Sequence, residues 1–113
     1  MKILTGTLTR NELKQMASNI FGNLLKAVID VDRGIIAVDA ELHSDLEALL
    51  LESGSKQKSL WGINLYPEMQ DDDFIEFDSM INMRPSQDNR SRGVENEEIR
   101  QKIIAVVAKR IAP

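Results

Sequence analysis

Apolar residues Leu13, Met16, Ala17, Ile20 and Phe21 recur every three or four positions, the spacing of one face of an α-helix. Thr9 and Glu12 stand as the halves of a capping box, and Leu8 and Leu13 occupy hydrophobic-staple positions, so the helix begins there. Lys2 to Leu4 can form a short edge strand before it. The period then changes to two. Leu25, Ala27, Ile29 and Val31 alternate with Lys26, Val28 and Asp30, and Asp32-Arg33-Gly34 supplies a tight turn, which predicts a hairpin. In the return strand Ile36, Val38, Ala40 and Leu42 oppose Ala37, Asp39 and Glu41. A second capping box, Ser44 with Glu47, and Gly54 as a stop predict a helix from Ser44 to about Ser53. Trp61, Ile63 and Leu65 then alternate in a strand from Ser59 to Tyr66. Ile75, Phe77, Ile81 and Met83 mark another from Phe74 to Met83, after a loop containing Pro67 and Asp71-Asp72-Asp73. Ile99, Ile103, Val106 and Val107 predict a last helix from Asn96 to Ile111. Glu95, Glu97 and Glu98 lie near its start and Lys109 and Arg110 near its end, as the helix dipole favours.

The order α-β-β-α-β-β-α predicts an α+β domain spanning the chain. Hairpin connections imply a mostly antiparallel sheet of four to five strands, with the three helices mainly on one face. The polar alternate positions would then share the other face: Asp30, Asp39, Glu41, Asn64, Tyr66, Glu76, Asp78, Asn82 and Arg84. A one-residue slip of any strand would invert its contribution. Val28, Ala37, Gly62 and Met80 interrupt the polar pattern, which suits a homodimer interface as well as a solvated face or a site.

With 113 residues, the chain can bury a core without staples. Its composition, 42% hydrophobic and 28% charged, is that of an ordinary globular protein. A net charge of −4 argues against general nucleic-acid binding or attraction to anionic membranes. The absence of cysteine removes disulfides, thiolate metal sites and thiol nucleophiles and is compatible with the cytoplasm. No signal peptide or membrane span is expected.

Two groups of residues carry chemistry. Glu76 and Asp78, with Glu41 and the only histidine, His43, offer oxygen and imidazole ligands that suit Mg²⁺ or Mn²⁺ better than zinc. Against this, Glu41 to Glu47 matches no zinc motif, and helix capping accounts for Asp45 and Glu47. The second group is the loop Arg84 to Arg92. Arg84, Arg90 and Arg92 present planar donors for carboxylate or phosphate, with Asn82, Asn89, Asn64 and Tyr66 as neutral partners. The same arginines suit structural pairing with Glu76, Asp78 or the Asp71–Asp73 run equally well. Trp61 and the methionines Met16 and Met83 are expected in the core.

The segments Glu41–Glu47, GSKQKSLWGINLYP (Gly54–Pro67) and IEFDSMINMRPSQDNRSR (Ile75–Arg92) resemble a small uncharacterised prokaryotic family, a domain of unknown function of about this length. The resemblance implies a free-standing cytoplasmic domain and brings no activity, cofactor or catalytic residue with it. The leading functional expectation is non-catalytic binding of an anionic small molecule or acidic protein segment through the Arg84–Arg92 loop and adjoining sheet face. Two alternatives stay open: a divalent-metal-assisted hydrolase or phosphotransferase, and a structural protein that forms homodimers.

Overall fold

A computed structural model describes residues 1–113. Strands β1 (Lys2–Leu4) and β2 (Leu8–Thr9) precede helix α1 (Arg10–Ile20). The hairpin β3 (Leu25–Asp30) and β4 (Ile35–Val38) leads to α2 (His43–Glu52). Strands β5 (Leu60–Leu65) and β6 (Ile75–Glu76), helix α3 (Glu97–Arg110) and strand β7 (Ile111–Ala112) complete the chain. The main sheet is antiparallel throughout, in the order β1-β4-β3-β5-β6, and β2 pairs with β7 in a separate parallel ribbon.

Local signals set most of this. Thr9 caps α1 with the full capping box to Glu12. At the β3–β4 turn the buried Asp30 accepts the N–H groups of Asp32 and Arg33, each at 2.9 Å, while Gly34 takes φ +66°. Helix α2 ends in a Schellman pair, Ser55 N–H to Leu50 O and Gly54 N–H to Leu51 O, with Gly54 at φ +107°. Asn96 caps α3 through Ile99 N–H at 3.1 Å.

The pleat registers follow the expected alternation, but the second face is not open. Ala27, Ile29, Ile36, Val38, Trp61, Ile63 and Leu65 build the larger core under α1 and α3. Val28, Ala37 and Leu60, on the opposite face, lie under Leu46 and Leu50 of α2. Of the residues that interrupted the polar pattern, Val28, Ala37 and Gly62 seat this helix, whereas Met80 is exposed.

Three local expectations are corrected. Strand β4 stops at Val38 because Asp39 turns to φ +71°, so Ala40 and Leu42 leave the ladder and Leu42 is exposed. Helix α2 starts at His43 behind Leu42, and no Ser44–Glu47 capping box forms. The strand expected over Phe74–Met83 pairs only at Ile75–Glu76 and continues as irregular chain and short 3₁₀ turns at Met80–Asn82 and Pro85–Gln87. Met83, expected in the core, is 45% exposed.

Where α2 meets the sheet the fit is close. A methyl group on Gly62 would lie 2.6 Å from Ser79 Cβ and 3.2 Å from His43 Cδ2. Gly62→Ala should therefore cost about 1–3 kcal/mol by overpacking. Combining it with Ser79→Gly should recover part of that loss, measured as urea midpoints of the single and double variants. Full additivity of the two substitutions would contradict the contact.

Candidate functional site

Because β6 pairs only with Asn64 and Leu65, the outer edge of β5 from Leu60 to Gly62 has no strand beside it. Side chains of the following loop take that place. Asn82 lies fully buried, accepts Gly62 N–H at 2.8 Å and donates to Gly62 O at 2.9 Å, as a neighbouring strand would. Its amide nitrogen also reaches Arg92 O at 2.9 Å, where Ser79 N–H donates as well. Arg84 extends the closure. It donates to Leu60 O, to Gln57 O at 2.9 Å and to Ile81 O at 2.9 Å, and its guanidinium stands 4.6 Å from the Trp61 ring centre. Burial lowers its pKa, countered by Glu47.

Asn89 fixes the second half of the loop. It donates to Asn82 O at 2.7 Å and Gly93 O at 2.8 Å and accepts Glu95 N–H at 2.8 Å. The hairpin from Arg84 to Asn89 turns at Asp88, in the left-handed region at φ +60°. Glu95 then receives the N–H groups of Arg90 and Ser91 at 2.6 and 2.8 Å, bonds that hold its carboxyl below the usual range.

Among the sequence-predicted ligand residues, Asn82, Arg84 and Asn89 are thus engaged with backbone and buried. Arg92 is exposed and pairs with Asp78 at 2.6 Å, which raises the arginine pKa. Asn64 donates to Glu76 Oε1 at 2.8 Å, and Tyr66 O–H donates to the same oxygen at 3.1 Å. Desolvation and that carboxylate raise the Tyr66 pKa. Asn64 Oδ1 is buried without a hydrogen-bond partner. Arg90 alone of the three arginines makes no side-chain ion pair or hydrogen bond within the protein.

The predicted metal set is not assembled. Glu41 is exposed at the foot of α2, Glu76 and Asp78 are committed as above, and no three His, Asp or Glu side chains converge on one point. His43, the first residue of α2, is buried and its Nε2 lies 2.7 Å from Ile63 O. Desolvation lowers its pKa; the Ile63 bond and Asp78 oppose this, while Lys26 and Arg92 add to it. The neutral ring with hydrogen on Nε2 fits this setting.

The periodicity reading set Met80 on the non-core face, where it is 63% exposed, but missed the exposure of Met83 and the anchoring role of Glu95. A single sequence does not mark the Arg84–Asn89 bridge, whose two backbone bonds, Arg84 N–H to Asn89 O and Asn89 N–H to Arg84 O, depend on the loop folded around them.

The fold and loop define a small α+β domain in which asparagine and arginine side chains complete the edge of β5. The chain belongs to the family described as protein of unknown function (DUF5674), whose model matches residues 2–110. No curated protein and no solved structure matches it. No helix is long and apolar enough to cross a membrane.

Three outcomes follow from this geometry. Asn82→Ala strands Gly62 N–H and Gly62 O and takes one of two donors from Arg92 O, and should cost roughly 3–5 kcal/mol in urea unfolding. Arg90→Ala should stay within about 0.5 kcal/mol. For His43, the unfolded imidazole protonates near pH 6.5 while the buried one stays neutral to lower pH. Stability should be full above about pH 6.5 and fall as pH drops through that value towards the folded pKa. His43→Gln should flatten this slope between about pH 7 and 5.5; an unchanged slope would assign the effect elsewhere.

Proposed function

We propose that this protein is a non-catalytic, cytoplasmic binding module that engages an anionic small molecule or an acidic segment of a partner. Contact is made through Arg90 and Arg92 at the outer corner of the Ser79–Glu95 loop, which also exposes Met80 and Met83. The observation that supports this reading is the contrast within the loop. Its backbone is tied down by Asn82, Arg84, Asn89 and Glu95, yet the Arg90 guanidinium is left unshared. A fixed backbone lowers the ordering cost of binding, and a free guanidinium retains its two-pronged donor geometry for carboxylate or phosphate. Arg92 adds a second cation whose only acidic partner, Asp78, is itself exposed and open to competition.

Exposed Leu42, Met80 and Met83 favour a second reading for the same side of the molecule, in which it meets another copy of the chain. Light scattering across a dilution series separates the two.

Inorganic pyrophosphate at millimolar concentration should raise the melting temperature of the wild type and of Ser86→Ala at low salt. Arg90→Ala should lose most of that increase, and Arg90→Ala/Arg92→Ala all of it, with the shift shrinking as salt rises. An equal shift in the double variant, or none in the wild type, would remove the arginine corner from the reading.

A further inference from the structure

Two adjoining depressions of about 250 and 390 Å³ run between α3 and the segment from Asp71 to Phe77. They share Asp71, Ile75 and Ile104 and so form one groove along the outer side of the helix. Its floor is apolar, built from Phe74, Ile75 and Phe77 on one side and Ile104 and Val107 on the other. Ile104 is 38% exposed there, although β-branched residues are not favoured at solvent positions of a helix.

The charges around this floor are unequally used. Arg10 donates to Pro67 O at 3.2 Å and Met69 O at 2.8 Å and stacks 3.8 Å above the Phe74 ring. Arg100 pairs with Glu97 at 3.5 Å and stacks 4.2 Å above Phe77. Both guanidinium groups hold the walls. Asp71 and Asp72 make no ion pair, and their carboxylates accept no hydrogen bond within the protein. An arriving cation meets two unshared carboxylates, whereas an arriving anion meets arginines already committed to ring faces and carbonyls.

We propose that this groove is a second binding surface, separate from the arginine corner, and that it takes a basic amphipathic segment of a partner protein. Aliphatic side chains of the segment lie against Ile75 and Ile104, and a Lys or Arg reaches Asp71 and Asp72. A helix matched to the 14 residues of α3 spans roughly 21 Å, and its apolar stripe fits a groove running parallel to α3.

The test uses a fluorescein-labelled helical peptide of leucine and lysine, about the length of α3, with anisotropy read near physiological salt. Saturable binding is expected to weaken about fivefold in D71N/D72N and about fivefold in I104S. Asparagine tolerates the left-handed backbone at position 71, at φ +53°, so the carboxamide pair keeps the fold and the test stands even if I104S is unstable. R90A should bind like wild type, which separates this surface from the arginine corner. Equal binding by D71N/D72N, or equally tight binding of a leucine–glutamate peptide, overturns the proposal. Self-association that D71N/D72N abolishes would assign the groove to a second copy and overturn it as well.

Discussion

Strand β5 pairs along its whole length with β3 on one side, yet on the other side β6 pairs with only its last two residues. The backbone of Leu60 and Gly62 is left facing protein instead of water, and each buried polar group without a partner costs about 1–3 kcal/mol. Asn82 and Arg84 supply those partners, and the positions of α2 and the whole Ser79–Glu95 loop follow from the closure. A primary amide can serve both N–H and C=O of one residue at once, which is what Asn82 does at Gly62. Arginine is suited to the neighbouring site because its five donors can meet several carbonyls around one plane. Neither residue can be exchanged for an apolar one of similar size without stranding backbone groups.

The same closure changes how the polar residues of the loop are understood. Those with the highest apparent binding capacity, Arg84, Asn82 and Asn89, are the ones the fold consumes. At the outer corner Arg90 keeps its guanidinium unshared and Arg92 shares Asp78. His43 belongs to the consumed group too: it packs against Gly62 and bonds Ile63 O, so its chemistry is directed at holding α2 on the sheet.

Much of the architecture was legible in the residues because its causes are local. The Thr9–Glu12 box, the Asp30–Gly34 turn, the Gly54 stop and the Asn96 cap each use neighbours within a few positions. Strand registers were legible because the larger apolar residues of β3, β4 and β5 alternate towards the core under α1 and α3, while mostly smaller or polar ones face α2 and the loop. The errors share a different origin. Ile75 to Met83 carries a plausible period of two, but Ser79 and Asn82 bond backbone ten or more residues away, at Arg92 and Gly62, and these bonds outweigh the pattern. Likewise Ser44 and Glu47 have capping spacing, but the contact of His43 with Ile63 starts α2 one residue earlier. The apolar positions Val28, Ala37 and Gly62 held the clue to a helix on the second face; they equally suited a subunit contact.

Both surfaces argued for binding trace to one event, the departure of the chain from the sheet after Glu76. Had β6 continued alongside β5, backbone would have occupied the place of Asn82 and Arg84, and the corner bearing Arg90 would have had no frame. Phe77 would also have stayed in the ladder. Instead it turns towards α3, where Arg100 covers its ring and it lines the groove with Ile104. The cost of leaving the sheet is the loss of ladder hydrogen bonds beyond Glu76, offset by side chains on one side and by aromatic burial on the other. A chain built only for stability would extend β6 by four residues and need none of these polar side chains. The fold maintains a shortened edge strand by a costly set of buried polar contacts, and the result is two exposed surfaces of opposite available charge on either side of one break.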